Sequence, residues 1–260
     1  MPQPTVHTTD TAIGEAARPS LQSPHLALGN PSGATPEPIN FDNFLIIGNG
    51  LVISYNNSRG TANWVAWRTS LSDLGDNLAR PRFEVDPRLP KNFNLIQHRD
   101  YSGSGYDRGH LVPSADRFGD AALNAETFLM TNIAPQTRSL NQYPWQRFEA
   151  YSRGLVRRGN DVYSIAGVYG GSGRLRTRVT VPTNFWKIMV AVPAGSDLYS
   201  AEVVLQVVAV DMPNVPNIDN SAWQDYRVTI AELEKRTGLR FFAELPVSLR
   251  EGLIELSRQR

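Results

Sequence analysis

Residues 101–113 read Tyr-Ser-Gly-Ser-Gly-Tyr-Asp-Arg-Gly-His-Leu-Val-Pro, the densest run of chemically active side chains in the chain. Four consecutive positions hold an acid, a guanidinium, a glycine and an imidazole: Asp107, Arg108, Gly109 and His110. Glycines let a backbone approach a ligand closely. Histidine titrates near neutral pH and arginine stays charged, so the pair suits proton transfer beside an anion. The stretch therefore predicts a catalytic centre, and our working hypothesis is that it cleaves phosphodiester bonds.

Composition limits the alternatives. The chain has 260 residues, of which 41% are hydrophobic and 20% charged, as in an ordinary globular protein of one large or two small domains. Without cysteine it has neither a disulfide framework nor a thiolate site. No apolar run approaches the roughly 20 residues of a membrane-spanning helix. No basic start followed by an apolar core marks a signal peptide.

The basic residues are mostly arginine. The net charge is only +1, which argues against strong global attraction to nucleic acid, but 23 of the 26 basic residues are arginines. From Arg138 to Arg178 there are eight arginines against two acids, Glu149 and Asp161. The planar guanidinium fork suits phosphate, although exposed arginines also serve simply as solubilising groups. Composition alone leaves both interpretations open.

Local patterns predict an α+β fold, with one domain over residues 39–260 and a disordered or loosely docked arm over residues 1–38. Residues 72–105 lack a clear period and predict a long functional loop, and the motif Asp107–His110 is expected in a loop as well. Runs rich in apolar and β-branched residues predict strands within 44–55 and at 63–68, 161–168, 178–192 and 201–210. Helical spacing of apolar residues predicts helices at 120–130, 145–158, 228–236 and 249–257.

A second polar cluster follows the motif by about thirty residues. Asn141 precedes the predicted helix at 145–158, which contains Glu149 and Arg153 four residues apart. A hard cation such as Mg²⁺ prefers oxygen ligands and retains waters, so one amide oxygen and a water-held carboxylate can suffice. Alternatively, Asn141 is a helix N-cap or a turn residue, and Glu149–Arg153 is a surface salt bridge of little consequence.

The motifs together resemble one family, the ββα-metal DNA/RNA non-specific endonucleases. The resemblance covers roughly residues 40–245 and looks nearest to the family's cyanobacterial branch. It is carried in order by Asp107-Arg108-Gly109-His110, Asn132-Ile133-Ala134-Pro135-Gln136, Leu140-Asn141-Gln142 and the run from Trp145 to Glu149. It implies a central antiparallel sheet flanked by helices and long loops.

The resemblance also implies site roles. His110 matches the general base, Asn141 the only direct protein ligand of one Mg²⁺, and Glu149 the carboxylate that holds metal-bound waters. The phosphate-side arginines are Arg108, Arg153 and Arg80, with Arg82 in reserve for Arg80. Asn132 and Gln136 match positions expected to orient the base or the metal waters, and they are grouped with Arg147 as substrate-binding candidates.

The implied activity is Mg²⁺-dependent cleavage of DNA and RNA, single- or double-stranded, leaving 5′-phosphate ends, with Mn²⁺ as a possible substitute. Alternatives are a DNA-restricted or toxin-type nuclease of the same fold, a non-catalytic nucleic-acid-binding module, and a phosphatase for small phosphates. A binding module would need neither His110, Asn141 nor Glu149. A protein inhibitor is a further expected partner. The resemblance favours a secreted or periplasmic location, although the sequence shows no signal peptide.

Overall fold

The structure is a computed structural model that describes residues 23–76, 78–199, 204 and 206–259. Its centre is a seven-stranded sheet in which every neighbouring pair is antiparallel, in the order β1-β2-β3-β6-β9-β10-β11. These strands are β1 (Phe44–Ile47), β2 (Val52–Asn56), β3 (Thr61–Thr69), β6 (Asn160–Tyr169), β9 (Asn184–Pro193), β10 (Gln206–Pro213) and β11 (Arg227–Val228). Strand β6 lies in the middle, as its apolar sequence predicts.

Both faces of the sheet are covered, which explains why its strands read as nearly continuous apolar runs. Alternate residues serve opposite layers: in β3, Trp64 packs in one buried cluster and Trp67 in the other. Helices α4 (Ile230–Thr237) and α5 (Val247–Arg258) supply apolar residues to the Trp64 layer. The Trp67 layer packs against the elements that carry the sequence motifs.

Two short hairpins and a long helix stand on the Trp67 side. Strands β4 (Asp107–His110) and β5 (Ile133–Gln136) form one antiparallel pair, and β7 (Arg174–Leu175) and β8 (Val179–Thr180) form another. Helix α1 (Ala121–Glu126) lies between β4 and β5 in the chain, with Asp120 as its N-cap. After β5 the chain enters α2 (Arg138–Leu140), a π-helical turn over Asn141–Trp145, and α3 (Gln146–Arg157).

One element prediction is wrong. The motif Asp107–His110 is a strand rather than part of a loop, because it pairs along its whole length with β5. The helix predicted at 145–158 is confirmed as α3, and the short helix α2 and the π-helical turn that precede it were not predicted. The strand predicted over 178–192 is divided between β8 and β9. The strand predicted at 201–210 is seen as β10, with 201–203 and 205 outside the described residues.

The predicted N-terminal arm is only partly described, since residues 1–22 lie outside the described range. The part that follows packs closely against the body instead of docking loosely. Leu28 is 2% exposed within the Trp64 layer, and Thr35 forms a parallel bridge with Phe44. Burial of Ala27, Leu28 and Ala34 supplies the apolar contact that fixes this segment. No helix in the described part of the chain has the length and apolar character needed to cross a membrane.

Candidate active site

The β4–β5 hairpin is held together by close packing and by one buried amide. A Cβ atom at Gly109 would lie 2.2 Å from Oε1 of Gln136, so only glycine allows the two strands to approach this closely. Asn132 is fully buried and its Oδ1 accepts from Val112 N at 3.0 Å. Its Nδ2 donates to the carbonyls of Val112 and Thr127. Asn132 therefore fixes the backbone two residues beyond His110.

His110 ends β4 against two phenylalanine rings. Its ring centroid lies 4.8 Å from that of Phe128 and 5.6 Å from that of Phe83. The ring is half-buried, and its Nε2 is shielded from solvent without a hydrogen-bond partner among the described residues. Burial, and then the nearby charge of Arg80, lowers the pKa of His110 to about 3. The imidazole is therefore neutral at physiological pH, as a general base must be.

Arg80 lies over the same two aromatic rings. Its Cζ is 5.6 Å from the ring centre of Phe83 and 5.5 Å from that of Phe128, both within cation–π distance. Arg82 is exposed and lines a neighbouring cavity that it shares with Phe83 and Arg108. Between the two candidates on this loop, Arg80 is the one beside His110. Arg108 also lies within cation–π distance of Phe83, with its Cζ 5.6 Å from that ring.

Asn141 lies inside the helical segment, where the π-helical turn begins, so its interpretation as an N-cap is wrong. The N-cap is Thr137, whose side chain accepts from Leu140 N. The Nδ2 of Asn141 donates to Oδ2 of Asp107 at 2.9 Å, and the same oxygen accepts from Nε2 of Gln142 at 3.2 Å. A carboxylate only accepts hydrogen bonds, so Asp107 orients the amide group of Asn141 with its NH₂ toward the carboxylate. No hydrogen bond of the described residues uses Oδ1 of Asn141, which leaves that oxygen available.

Glu149 and Arg153 do not form the simple pair that their spacing predicts. Oε1 of Glu149 lies 3.5 Å from Nζ of Lys187, and Nη1 of Arg153 lies 3.0 Å from Oδ1 of Asp116. Lys187 is 2% exposed, and its Nζ also lies 4.3 Å from the ring centre of Trp145. Burial raises the pKa of Glu149, while the charges of Lys187 and Arg153 oppose that rise. These four charged groups form a buried network rather than a surface salt bridge.

One cavity of about 550 Å³ brings most of the predicted residues together. Its lining includes six of them: Arg80, Arg108, His110, Asn141, Glu149 and Arg153. Lys187 and Asp116, which support Glu149 and Arg153 from beneath, are absent from the sequence-based prediction. A lysine within the apolar strand Phe185–Met189 is a signal that could have revealed Lys187.

Three residues predicted to contact substrate do not fit that role. Asn132 and Gln136 are both 0% exposed and lie beneath the hairpin surface, where they support β4. Arg147 points away from the cavity and donates to the carbonyls of Asp219 and Ser221 at 2.9 and 3.0 Å. Its charge therefore secures a loop. These positions are structural because their polar groups or their packing surfaces are already used within the fold.

The residues present fit a single hard metal ion with few protein ligands. In the described ranges, no group of three His, Asp or Glu side chains converges as a ligand set. The cavity instead offers the free Oδ1 of Asn141 together with the carboxylate of Glu149. Amide and carboxylate oxygens are ligands of the type that Mg²⁺ prefers, with waters completing its shell.

Together, the antiparallel pair, the helix that follows it and the histidine–asparagine cavity define a ββα-metal nuclease fold, as predicted. The chain belongs to the DNA/RNA non-specific endonuclease family, whose family model matches residues 29–248. It is therefore an endonuclease that hydrolyses nucleic acid, and the resemblance seen in the sequence is confirmed.

Individual relatives agree with this assignment. A nuclease from Nostoc sp. is 44% identical over 237 residues, covering 90% of this chain and 86% of the relative. Nuclease C1 from Cunninghamella echinulata is 31% identical, covering 76% of this chain and 82% of the relative. The solved structure of an EndoG/EndoGI complex matches with a TM-score of 0.67 at 24% identity, covering 82% of this chain and 94% of that chain. The structural match supports the fold.

Proposed function

We propose that this protein is a sugar-non-specific endonuclease that cuts DNA and RNA with His110 as its base and one divalent metal ion, Mg²⁺, as cofactor. The observation that carries the proposal is the cavity where a neutral His110 faces the same space as Asn141, Glu149 and arginines. Every residue with a proposed chemical role lines this one cavity. Mn²⁺, which also accepts oxygen ligands, is expected to substitute.

In the proposed reaction, His110 takes a proton from a water molecule whose oxygen attacks the phosphorus. The bond between phosphorus and the 3′ oxygen breaks, and the leaving oxygen takes a proton from solvent, so the products are a 5′-phosphate and a 3′-hydroxyl. Arg80, Arg108 and Arg153 neutralise charge on the phosphate in a partly enclosed space, where such interactions are strong.

Asn141 and Glu149 would hold the metal ion, the first through Oδ1 and the second through bound water. When bound, such an ion stabilises the negative charge that develops on the leaving oxygen. Asp107 keeps Oδ1 of Asn141 available, and Lys187 supports the carboxylate of Glu149 in its buried position.

Low specificity is proposed from the chemistry of the lining residues. The charged groups of the cavity suit phosphate, which DNA and RNA share, and phosphate contacts carry no sequence information. The direct test incubates the protein with plasmid, single-stranded DNA and RNA, each with Mg²⁺ or with EDTA. We expect all three to be cut with Mg²⁺ and none with EDTA. Cleavage of DNA alone would favour the DNA-restricted alternative, and full activity in EDTA would contradict the metal assignment.

A protein inhibitor belongs among the proposed partners. The matched solved structure is of an EndoG/EndoGI complex and concerns EndoG inhibition. The cavity proposed here is open, so a protein that covered its mouth would block His110 and the arginines together. Inhibition of the purified enzyme by such a protein, relieved by excess nucleic acid, is the expected behaviour.

Lys187 is expected to be a positioning residue. Lys187→Met should reduce kcat by about 10- to 100-fold, the usual range for groups that support a metal site. The change leaves the Glu149 carboxylate buried without its cation, so the free energy of unfolding should fall by about 3 kcal/mol. Steady-state kinetics and urea unfolding measure the two effects.

The double variant Lys187→Met/Glu149→Gln separates these effects. Removing the buried carboxylate removes the unpaired charge, so stability should recover toward that of the wild type. Activity should stay low, because the group that holds metal-bound water is lost. Near-normal kcat in Lys187→Met would show that Glu149 does not depend on Lys187 for its position.

A further inference from the structure

The hairpin β7–β8 carries exposed arginines, and nothing in the proposed chemistry uses them. Arg174 and Arg176 are both exposed. Among the described residues, no carboxylate lies within ion-pair distance of either guanidinium. Arg178, by contrast, is half-buried and donates to Asn94 and to the carbonyl of Leu95. Arg178 is a structural residue, whereas Arg174 and Arg176 present their charge to solvent.

Arg176 is connected to the cavity through a single residue. Its Nη2 donates to the carbonyl of Ser102 at 3.4 Å, while Oγ of Ser102 accepts from Nη2 of Arg108 at 3.3 Å. The two guanidinium groups therefore flank one serine. A nucleic-acid strand adds one phosphate for about each 3.4 Å of its axis, so neighbouring phosphates can meet neighbouring guanidinium groups of this kind.

The row of positive charge continues beyond Arg176. Arg174 donates to the carbonyl of Ser58, and the pKa of Arg59 is lowered by burial and by the charge of Arg174. One carboxylate also lies at this end of the row, since Asp42 accepts from the backbone N of Ser58.

The hairpin has a fixed position. Its inward residues Leu175 and Val179 are buried in one cluster with Tyr101 and Ile133. Tyr101 ends the 3-10 turn that precedes the motif, and Ile133 begins β5. A charge on such a rigid support is held in place before a ligand arrives, which lowers the entropic cost of binding.

The turn at the hairpin tip is strained. Arg178 N donates to Leu175 O at 2.8 Å, and the central residues Arg176 and Thr177 have φ values of +45° and +60°. Glycine and asparagine are favoured at such positions because other side chains are crowded there. Strain of this kind is found at sites where function requires a particular side chain.

We propose that Arg176, with Arg174 behind it, forms a phosphate track that binds the substrate strand next to the scissile bond. The proposal rests on the proposed nuclease function and deepens it. The substrate is then a strand that extends at least one nucleotide from the cavity over β7–β8. Because the track contacts phosphates only, it adds affinity without adding base preference.

The test measures binding without cleavage, using the full-length chain with His110→Ala and a labelled single-stranded oligonucleotide. On this background, Arg176→Asn removes the charge and suits the positive φ. Each phosphate contact on a single strand contributes about 0.7 to the slope of log affinity against log salt. Arg176→Asn should therefore lower that slope by about 0.7 and weaken binding about fourfold at 0.15 M salt.

Arg240→Gln is the matched control. Arg240 is exposed, and its backbone N donates to Pro31 on the side of the sheet opposite the cavity. Arg240→Gln changes the net charge by the same amount as Arg176→Asn. Because Arg240 lies away from the proposed track, this substitution should leave the slope unchanged. In the otherwise wild-type enzyme, Arg176→Asn should raise KM for long nucleic acid and leave kcat unchanged, and its thermal midpoint should not fall.

Equal slopes for Arg176→Asn and Arg240→Gln would overturn the phosphate track, whether or not the enzyme cleaves. That result would instead point to a different occupant of the hairpin, such as an acidic protein. Failure of the wild-type enzyme to cut any nucleic acid would overturn the proposed function. In that case the binding slopes would still decide the track separately.

Discussion

Replacing His110 with alanine is expected to reduce kcat by about 10³-fold, within the range that a general base contributes. The imidazole is the neutral base of the cavity, and its low pKa keeps it unprotonated at working pH. Its ring also packs against Phe83 and Phe128, so the variant leaves a small gap in that cluster. The measurement is single-turnover cleavage of a labelled substrate at saturating enzyme and Mg²⁺.

Two controls separate loss of the base from loss of the fold. The thermal midpoint and substrate binding of the variant should remain close to those of the wild type. Added imidazole should restore part of the activity, because it can occupy the vacated space and take the proton in place of the side chain. A variant that cleaves at a near-normal rate would exclude His110 as the base.

The pH dependence gives an independent check. A base acts in its deprotonated form, so activity falls as pH drops through the pKa of the base. In the free enzyme that pKa is lowered from 6.5 to about 3. The profile of kcat/KM, which reports the free enzyme, should therefore remain flat through pH 6.5 and fall only under more acidic conditions. A fall centred at or above pH 6.5 would contradict the burial of this imidazole.

The sequence predicts the central sheet well and the site hairpin poorly, for physical reasons. Strands such as β6 bury eight consecutive residues, so they stand out as apolar runs. Strand β4 has the sequence Asp-Arg-Gly-His and shows neither alternation nor β-branched residues. It is a strand because of distant partners, namely its pairing with β5 and the close fit of Gly109 on Gln136.

The turn before α3 illustrates a second limit. Proline is disfavoured inside a helix, since it lacks an N–H and crowds the preceding turn, so the sequence does not predict helical structure before Pro144. The chain forms a π-helical turn there, and this turn carries Asn141. Such turns are frequent at functional sites. Local propensity could not predict the position of the asparagine, although its chemistry could be predicted from its type.

The order of the motifs predicts the remaining site residues. The family resemblance groups His110, Asn141 and Glu149, whereas spacing alone leaves each with an ordinary structural interpretation. Local patterns do not predict the roles of Lys187 and Asp116. Asp116 is 37 residues from Arg153 and Lys187 is 38 residues from Glu149 in sequence, so each pair meets only when the chain folds. Long-range pairs of this kind have no local pattern.

Replacing Asn141 with alanine is expected to reduce cleavage by at least about 100-fold at a fixed, moderate Mg²⁺ concentration. Charge stabilisation by a bound metal ion is worth several kcal/mol, and each 1.36 kcal/mol corresponds to a factor of ten in rate. Asn141 supplies the free amide oxygen of the cavity, so its loss should weaken metal binding directly. Mn²⁺ titration followed by electron paramagnetic resonance measures this binding without any turnover.

Two neighbours of Asn141 provide a sharp comparison. Asp107→Ala leaves the oxygen of Asn141 in place but frees the amide to rotate, so metal affinity should fall by about 10- to 100-fold. Gln142→Ala removes the other donor to Asp107, an exposed amide at 3.2 Å, and should leave metal affinity almost unchanged. The expected order of Mn²⁺ affinity is therefore wild type and Gln142→Ala first, then Asp107→Ala, then Asn141→Ala. If Asn141→Ala bound Mn²⁺ as tightly as the wild type, the metal would have to be held elsewhere, and Glu149 would be the first residue to test.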